Sequence, residues 1–346
     1  MAKKQLKTSK KLSELILENE VKVIAEGITS EKMSPIFFDA TKLIKQPEPI
    51  YRMDSSGHRY YYKFNVETGE PQFFTSVTTM IKNTLPTSPQ LIKWIADMGA
   101  EESKEYAQER ADYGTFLHIQ CGDLLINGTY NLDELSEKLA KYMAKEGITG
   151  KKGWVDDLKK DVLAFAQFMI EHNVKPLAIE ICLWHPTDGY AGAIDIVCEM
   201  DTDEKGFFGE VYLSGVNKGQ PKETKLPKRV RAIVDIKSGK KGFYESSEIQ
   251  LKAYEAMWNI HFPELPIDKV YNWSPKDWRK SPDYNLKDQT ESKSIKKLEH
   301  LVALAKIEDE KRTNSVMVIS GHIDLLKGLD TNISEKTFGE LVKEKK

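Results

Sequence analysis

The chain has 346 residues, enough for one substantial hydrophobic core or two modest ones. Its 40% hydrophobic and 30% charged residues exclude a fibrous, wholly disordered or membrane-embedded protein. A net charge of −2 excludes a surface that is basic all over, though not a local groove for a polyanion.

Residues 1–50 carry many lysines and little periodicity, so a mobile or loosely packed arm is expected there. The N-terminus lacks the apolar core of a signal peptide, and no apolar run could span a bilayer, so a cytoplasmic location is expected. From Ile50 to about Thr79 the pattern predicts a hairpin turning at Thr68-Gly69-Glu70-Pro71. Ser88-Pro89 opens a helix, with serine as N-cap and proline at the first helical position. Leu91, Ile92, Ile95 and Tyr106 are expected to mark its buried side. Further helices are predicted over about 111–125, 132–147 and 154–173. Strands follow at 175–185, 190–200, 206–214 and 229–239, then a helix at 246–262, a strand near 269–274 and a charged helix around 294–312. The tail from Asn314 fits no class. No Pro/Gly/Ser linker or repeat divides the chain, which favours one α/β domain over residues 51–312 with a helical front end (86–173) and a core (175–275), followed by a tail (313–346).

Cys121, Cys182 and Cys198 are far apart and form no C-x-x-C pair, so small buried hydrophobes are expected and a four-cysteine iron–sulfur cluster is excluded. The run IVDIKSG is the most informative segment. Alternation along a strand sends Asp235 and Lys237 to one face, where an acid can hold a divalent metal beside a cation for a phosphate or an attacking water. Asp195, in AGAIDIV, is a second acid in an apolar strand and must be paired, hydrogen-bonded or metal-bound. Two such acids suit Mg²⁺ or Mn²⁺. Glu180, in LAIEICLW, is a third strand acid, either supporting the metal's water shell or forming a rim salt bridge. In GTFLH, His118 lies one helical turn from Gly114, whose missing side chain admits a close neighbour. Gln250 and Tyr254 repeat that spacing on the following helix. Their amide would orient Lys237 or a metal water and their phenol would touch a phosphate, unless they are simply polar ends of an amphipathic helix.

GTFLH, GAIDIV, VDIKSG and Q-x-x-x-Y, in this order, resemble the RecB-like and phage-type exonuclease branch of the PD-(D/E)XK nucleases, from about Ser76 to Tyr254. The resemblance implies a restriction-endonuclease-like core, a mixed sheet flanked by helices. It makes His118, Asp195 and Asp235 metal ligands, Lys237 the catalytic lysine, and Glu180, Gln250 and Tyr254 supporting groups. It implies a Mg²⁺- or Mn²⁺-dependent deoxyribonuclease of recombination, repair or phage replication, tilted toward an end-dependent exonuclease. DNA is the implied substrate, and a single-strand annealing or other recombination protein is the implied partner. A catalytically silent nuclease fold that serves as a DNA-binding or assembly module is the alternative. An unrelated nucleotide enzyme lacks the glycine-rich phosphate loop it would need. Between the Asp195 and Asp235 strands, Lys222, Lys225, Lys228 and Arg229 are expected on a hairpin beside the site, gripping the DNA backbone.

Overall fold

The computed structural model describes residues 43–55, 58–240, 242–309, 315–324 and 328–343. Most of the expected N-terminal arm (residues 1–42) lies outside them. Among the described residues no helix is long and apolar enough to cross a membrane.

Three strands come first: β1 (Tyr51–Ser55), β2 (His58–Phe64) and β3 (Pro71–Ser76). Between β2 and β3 the chain closes through Asn65 N–H to Glu70 O (2.8 Å), with Gly69 at φ 68°, as the turn residues predict. The expected hairpin runs too far, however. Ser76 accepts from Thr79 N–H and starts a helix, α1 (Val77–Thr84), where a strand end was expected.

Ser88 caps α2 (Pro89–Met98) as predicted, accepting from Leu91 N–H. Its apolar side is not buried, which corrects the expectation. Leu91 and Ile92 are 46% and 55% exposed, and Tyr106 is 46% exposed. The reason is that α2 lies outside the core and packs on the start of α3 (Ala100–Asn127), where Trp94 meets the Tyr106 ring edge-on. Then come α4 (Leu135–Glu146) and α5 (Trp154–Glu171).

The remaining sheet strands are β4 (Lys175–Trp184), β5 (Tyr190–Val211), β6 (Pro221–Ile236), β7 (Lys269–Pro275) and β8 (Tyr284–Asp288), with α6 (Glu245–His261) between β6 and β7. The segment 206–214 is not a separate strand. It continues β5, which folds back into β6 as one long ribbon. The eight-stranded sheet runs β1-β2-β3-β5-β6-β7-β8, with β4 also paired to β5. β3–β5 and β6–β7 are parallel and the other pairs antiparallel, so the fold is α/β around a mixed sheet.

Alternation on β6 divides the core in two. Ala232, Val234 and Ile236 face α3 and α5, beside Phe165, Phe168 and Trp273. Ile233 faces α1, α6 and α7 (Ser294–Asp309), beside Met257, Trp258 and Leu298. Asp235 follows the parity of Ile233 and so emerges on the α6 side. All three cysteines are buried and unpaired, as expected. The tail forms an antiparallel pair, β9 (Ser315–Asp324) and β10 (Gly328–Thr337), and a short helix, α8 (Phe338–Lys343), whose Phe338 ring meets Tyr60 and Phe73.

Candidate metal centre

The site lies where β5 and β6 part. Their ladder pairs Ile196 with Val234, and one residue further the backbones no longer pair. There the Asp195 carboxylate takes over, with Oδ2 accepting from Ile236 N–H at 2.7 Å. A side chain thus satisfies a sheet donor and wedges the two strands open.

β4 brings Glu180 opposite Asp195, between the pairs Ile179–Ile196 and Ile181–Ile194. Glu180 has φ 49°, a left-handed backbone in mid-strand that costs ~1–3 kcal/mol and persists only where its surroundings enforce it. From the other side α3 supplies His118, with Nδ1 3.7 Å from Asp195 Oδ1 and 3.9 Å from Glu180 Oε1. These separations are too long for hydrogen bonds. One donor atom from each of the three residues nevertheless lies within 4.8 Å of the others, so the group could hold a metal ion. Two carboxylates and an imidazole are oxygen and nitrogen donors of the kind that hold divalent ions.

Asp235 is placed differently from the expectation that it completes this triad with His118 and Asp195. It is 1% exposed and held by two protein groups. Lys237 Nζ lies 3.0 Å from its Oδ1 and 2.9 Å from its Oδ2, and Asn272 Nδ2 donates to Oδ2 at 2.8 Å. Lys237 Nζ also donates to Gln250 Oε1 (3.0 Å), and Gln250 Nε2 donates to the Tyr254 hydroxyl (2.7 Å). The Gln250 amide thus links the Lys237 ammonium to the Tyr254 hydroxyl. The phenol differs from the expected phosphate contact: Tyr254 is 4% exposed, its oxygen is taken by Gln250, and its ring lies against Gly192.

Close packing ties the DxK strand to α3. A Cβ on Gly114 would come 3.0 Å from Ser238 Oγ, so the glycine of GTFLH does admit a near neighbour. Arg110, one turn earlier, donates to Ser238 O at 3.3 Å. Sequence reasoning missed Asn272, Gly192 and Arg110. Asn272 had a signal: an amide inside the apolar run VYNWS, 0% exposed, must find partners.

Burial raises the pKa values of Asp195 and Asp235, against the lowering effects of His118 on the first and Lys237 on the second. Burial pushes His118 down, but Asp195 and Glu180 outweigh it and lift the imidazole from 6.5 to about 9. The cluster has more negative charge than its own cations balance, which is the environment a divalent ion would relieve. In metal-free protein the folded state binds the His118 proton more tightly than the unfolded state does. That contribution is complete below pH ~6.5 and is lost as pH rises toward 9. The melting temperature of EDTA-treated protein should therefore fall between pH 6.5 and 9, and His118→Gln should remove that component. A profile identical in both proteins would refute it.

The basic hairpin exists, but not beside the site. β6 runs toward Asp235, so its early residues lie at the far end of the strand. Lys228 is seven residues away, ~23 Å at ~3.3 Å per residue, and Lys222 lies further along the strand, past register shifts in the β5–β6 ladder. Lys228 pairs with Glu204 (3.2 Å), and Arg229 with Asp201 (2.8 Å). Lys225 lies outside the residues whose side chains are described.

No family model matches the sequence, and no curated protein matches it. Among solved structures the chain is similar to the crystal structure of a putative exonuclease from Eubacterium rectale, at 9% identity and a TM-score of 0.31. The match covers 56% of this chain and 66% of that one, just under two thirds of its length. A likeness of that size leaves the chemistry to rest on the side chains themselves.

Proposed function

We propose that the chain is a metal-dependent nuclease of the PD-(D/E)XK type that hydrolyses phosphodiester bonds in DNA. The observation that carries this is the meeting of two arrangements at one strand fork: the His118–Glu180–Asp195 donor set and the Asp235–Lys237–Gln250–Tyr254 chain. His118, Glu180 and Asp195 would hold the ion, and Asp235 would join them where Lys237 releases one of its oxygens. A bound divalent ion polarises a phosphoryl oxygen and lowers the pKa of its water.

The protein's own groups do the rest. Asp235 and Gln250 hold the Lys237 ammonium in place, while 29% exposure of its side chain leaves it access to a phosphate oxygen or a water. There it offers a positive charge and a proton to the charge that develops on cleavage. Gln250 is fixed in turn by Tyr254, so the amide oxygen stays turned toward the lysine. Buried Asn272 keeps Asp235 from rotating away.

The resemblance to phage and recombination enzymes favours an end-dependent exonuclease. The test incubates the protein with linear and circular, single- and double-stranded DNA, and with RNA, in Mn²⁺, Mg²⁺ or EDTA. Cleavage of linear DNA only, abolished by EDTA and by Asp195→Asn, is the expected result. Cleavage that persists in EDTA would overturn the mechanism, circular-DNA cleavage would overturn the exonuclease, and binding without cleavage would leave a silent nuclease fold. Mn²⁺ should also raise the melting temperature of the wild type, because it binds the folded state alone, and should do so far less in Glu180→Gln. An equal shift in both would remove Glu180 from the donor set.

A further inference from the structure

With the ribbon lysines at the far end of the sheet, the groups that grip the substrate backbone near the site must come from elsewhere. The β1–β2 ribbon supplies candidates. Its register sets Arg52 opposite Tyr61 and Asp54 opposite Arg59. By alternation Arg52, Asp54, Arg59 and Tyr61 share one face. Tyr61 on that face is buried with Phe74, Cys182, Trp184 and Ala191, and Cys182 follows Glu180 by two residues. The arginine face therefore continues into the part of the sheet that carries the donor set. The electrostatics agree: burial chiefly raises the Tyr61 pKa, Glu180 adds to the rise, and Arg59 and Arg52 oppose it.

The two guanidiniums are short of acceptors. Arg52 Nη2 pairs with Asp54 Oδ2 at 2.9 Å, while Arg59 Nε stands 3.5 Å from Asp54 Oδ1. Among the described residues neither Arg52 Nε nor Arg59 Nε has a hydrogen-bond partner, although both atoms are buried. Two guanidiniums carry ten N–H donors between them, and one carboxylate cannot saturate them. The two side chains keep 29% and 40% exposure, so N–H groups other than Nε remain open to an incoming acceptor. Two positive charges against one negative leave a net positive trio, and planar guanidiniums match the paired oxygens of a phosphodiester.

β1 and β2 are joined through β3 to β5, the strand of Asp195, so the arginines stand to one side of the donor set rather than in it. We propose that Arg52 and Arg59 form a clamp for internal backbone phosphates of the substrate strand, with Asp54 holding the guanidiniums in register until a phosphate takes its place. The proposal rests on the nuclease reading.

The test measures binding of a fluorescein-labelled DNA oligonucleotide to the full chain by anisotropy, in EDTA, across a series of salt concentrations. The variants are Arg52→Gln/Arg59→Gln and Asp54→Asn. The double variant should bind ~10-fold or more weakly at low salt, and its log–log salt slope should be shallower by about one to two, as one or two phosphate contacts are lost. Asp54→Asn should bind more tightly with a slope no shallower than wild type, and because it disturbs the same ribbon it separates lost charge from a damaged fold. Wild-type protein that fails to bind DNA would overturn the nuclease reading itself. Wild-type binding with an unchanged slope in the double variant would overturn the clamp alone, as would weaker binding by Asp54→Asn. Oligonucleotides with and without a 5′-phosphate should lose affinity equally. A loss confined to the phosphorylated one would overturn the internal clamp in favour of a terminal-phosphate pocket.

Discussion

Lys237→Ala is expected to lower DNA cleavage by about 10²–10⁴-fold, the range for removing a positioned proton donor or transition-state cation. Its Mn²⁺ affinity should change little, because His118, Glu180 and Asp195 meet without it. The variant should also fold. Asp235 would lose its ammonium partner while 1% exposed, but Asn272 still donates to Oδ2. Burial already raises the Asp235 pKa, so the acid can take up a proton rather than remain an unpaired charge. Lys237→Arg should not restore activity, since a planar fork cannot occupy the point between Asp235 and Gln250 that the ammonium fills. Single-turnover cleavage at saturating Mn²⁺, beside calorimetric Mn²⁺ titration, checks both halves. Cleavage within threefold of wild type would remove Lys237 from the chemistry, and loss of metal binding would recast it as a structural residue.

The contrast between Lys237 and Glu180 shows how far a sequence reaches. The Asp235–Lys237 bond is legible because it is local: two residues apart at the exit of one strand, with a turn signal behind them. Ser88-Pro89 was legible for the same reason. The reach of Glu180 was not, because its carboxylate enters the donor set through a left-handed backbone that no residue pattern announces. The apolar stripe of α2 showed which residues share a face but not whether anything covers it. Sequence proximity to Asp195 and Asp235 says nothing about which end of a 16-residue strand the ribbon lysines occupy. Only the register, Arg229 against Asp201 and Val234 against Ile196, sets them far from the fork. Asn272, Arg52 and Arg59 needed the same long-range pairing, since their roles depend on which strands become neighbours.

Gly192→Ala should be the most damaging single methyl group in the site. A Cβ there would stand 2.8 Å from Tyr254 Cε1, closer than side-chain carbons approach in folded proteins. The ring has little room to yield: Tyr254 is 4% exposed, and Val77 Cγ2 would lie 3.5 Å from the same Cβ. Relief must come from moving the α6 side, and that pulls Gln250 from Lys237 because the amide is held by the Tyr254 hydroxyl. Overpacking of this kind costs ~1–3 kcal/mol. Cleavage should fall further than in Tyr254→Phe, which removes the hydroxyl but leaves the ring in place. In the double variant Gly192→Ala/Tyr254→Leu the clash is gone, so denaturant unfolding should recover most of the lost stability. Cleavage should not recover, because Gln250 remains without its anchor. Recovery of both would mean that Tyr254 acts only by filling space. Stability loss under ~0.5 kcal/mol in Gly192→Ala would mean that the β5–α6 contact can relax.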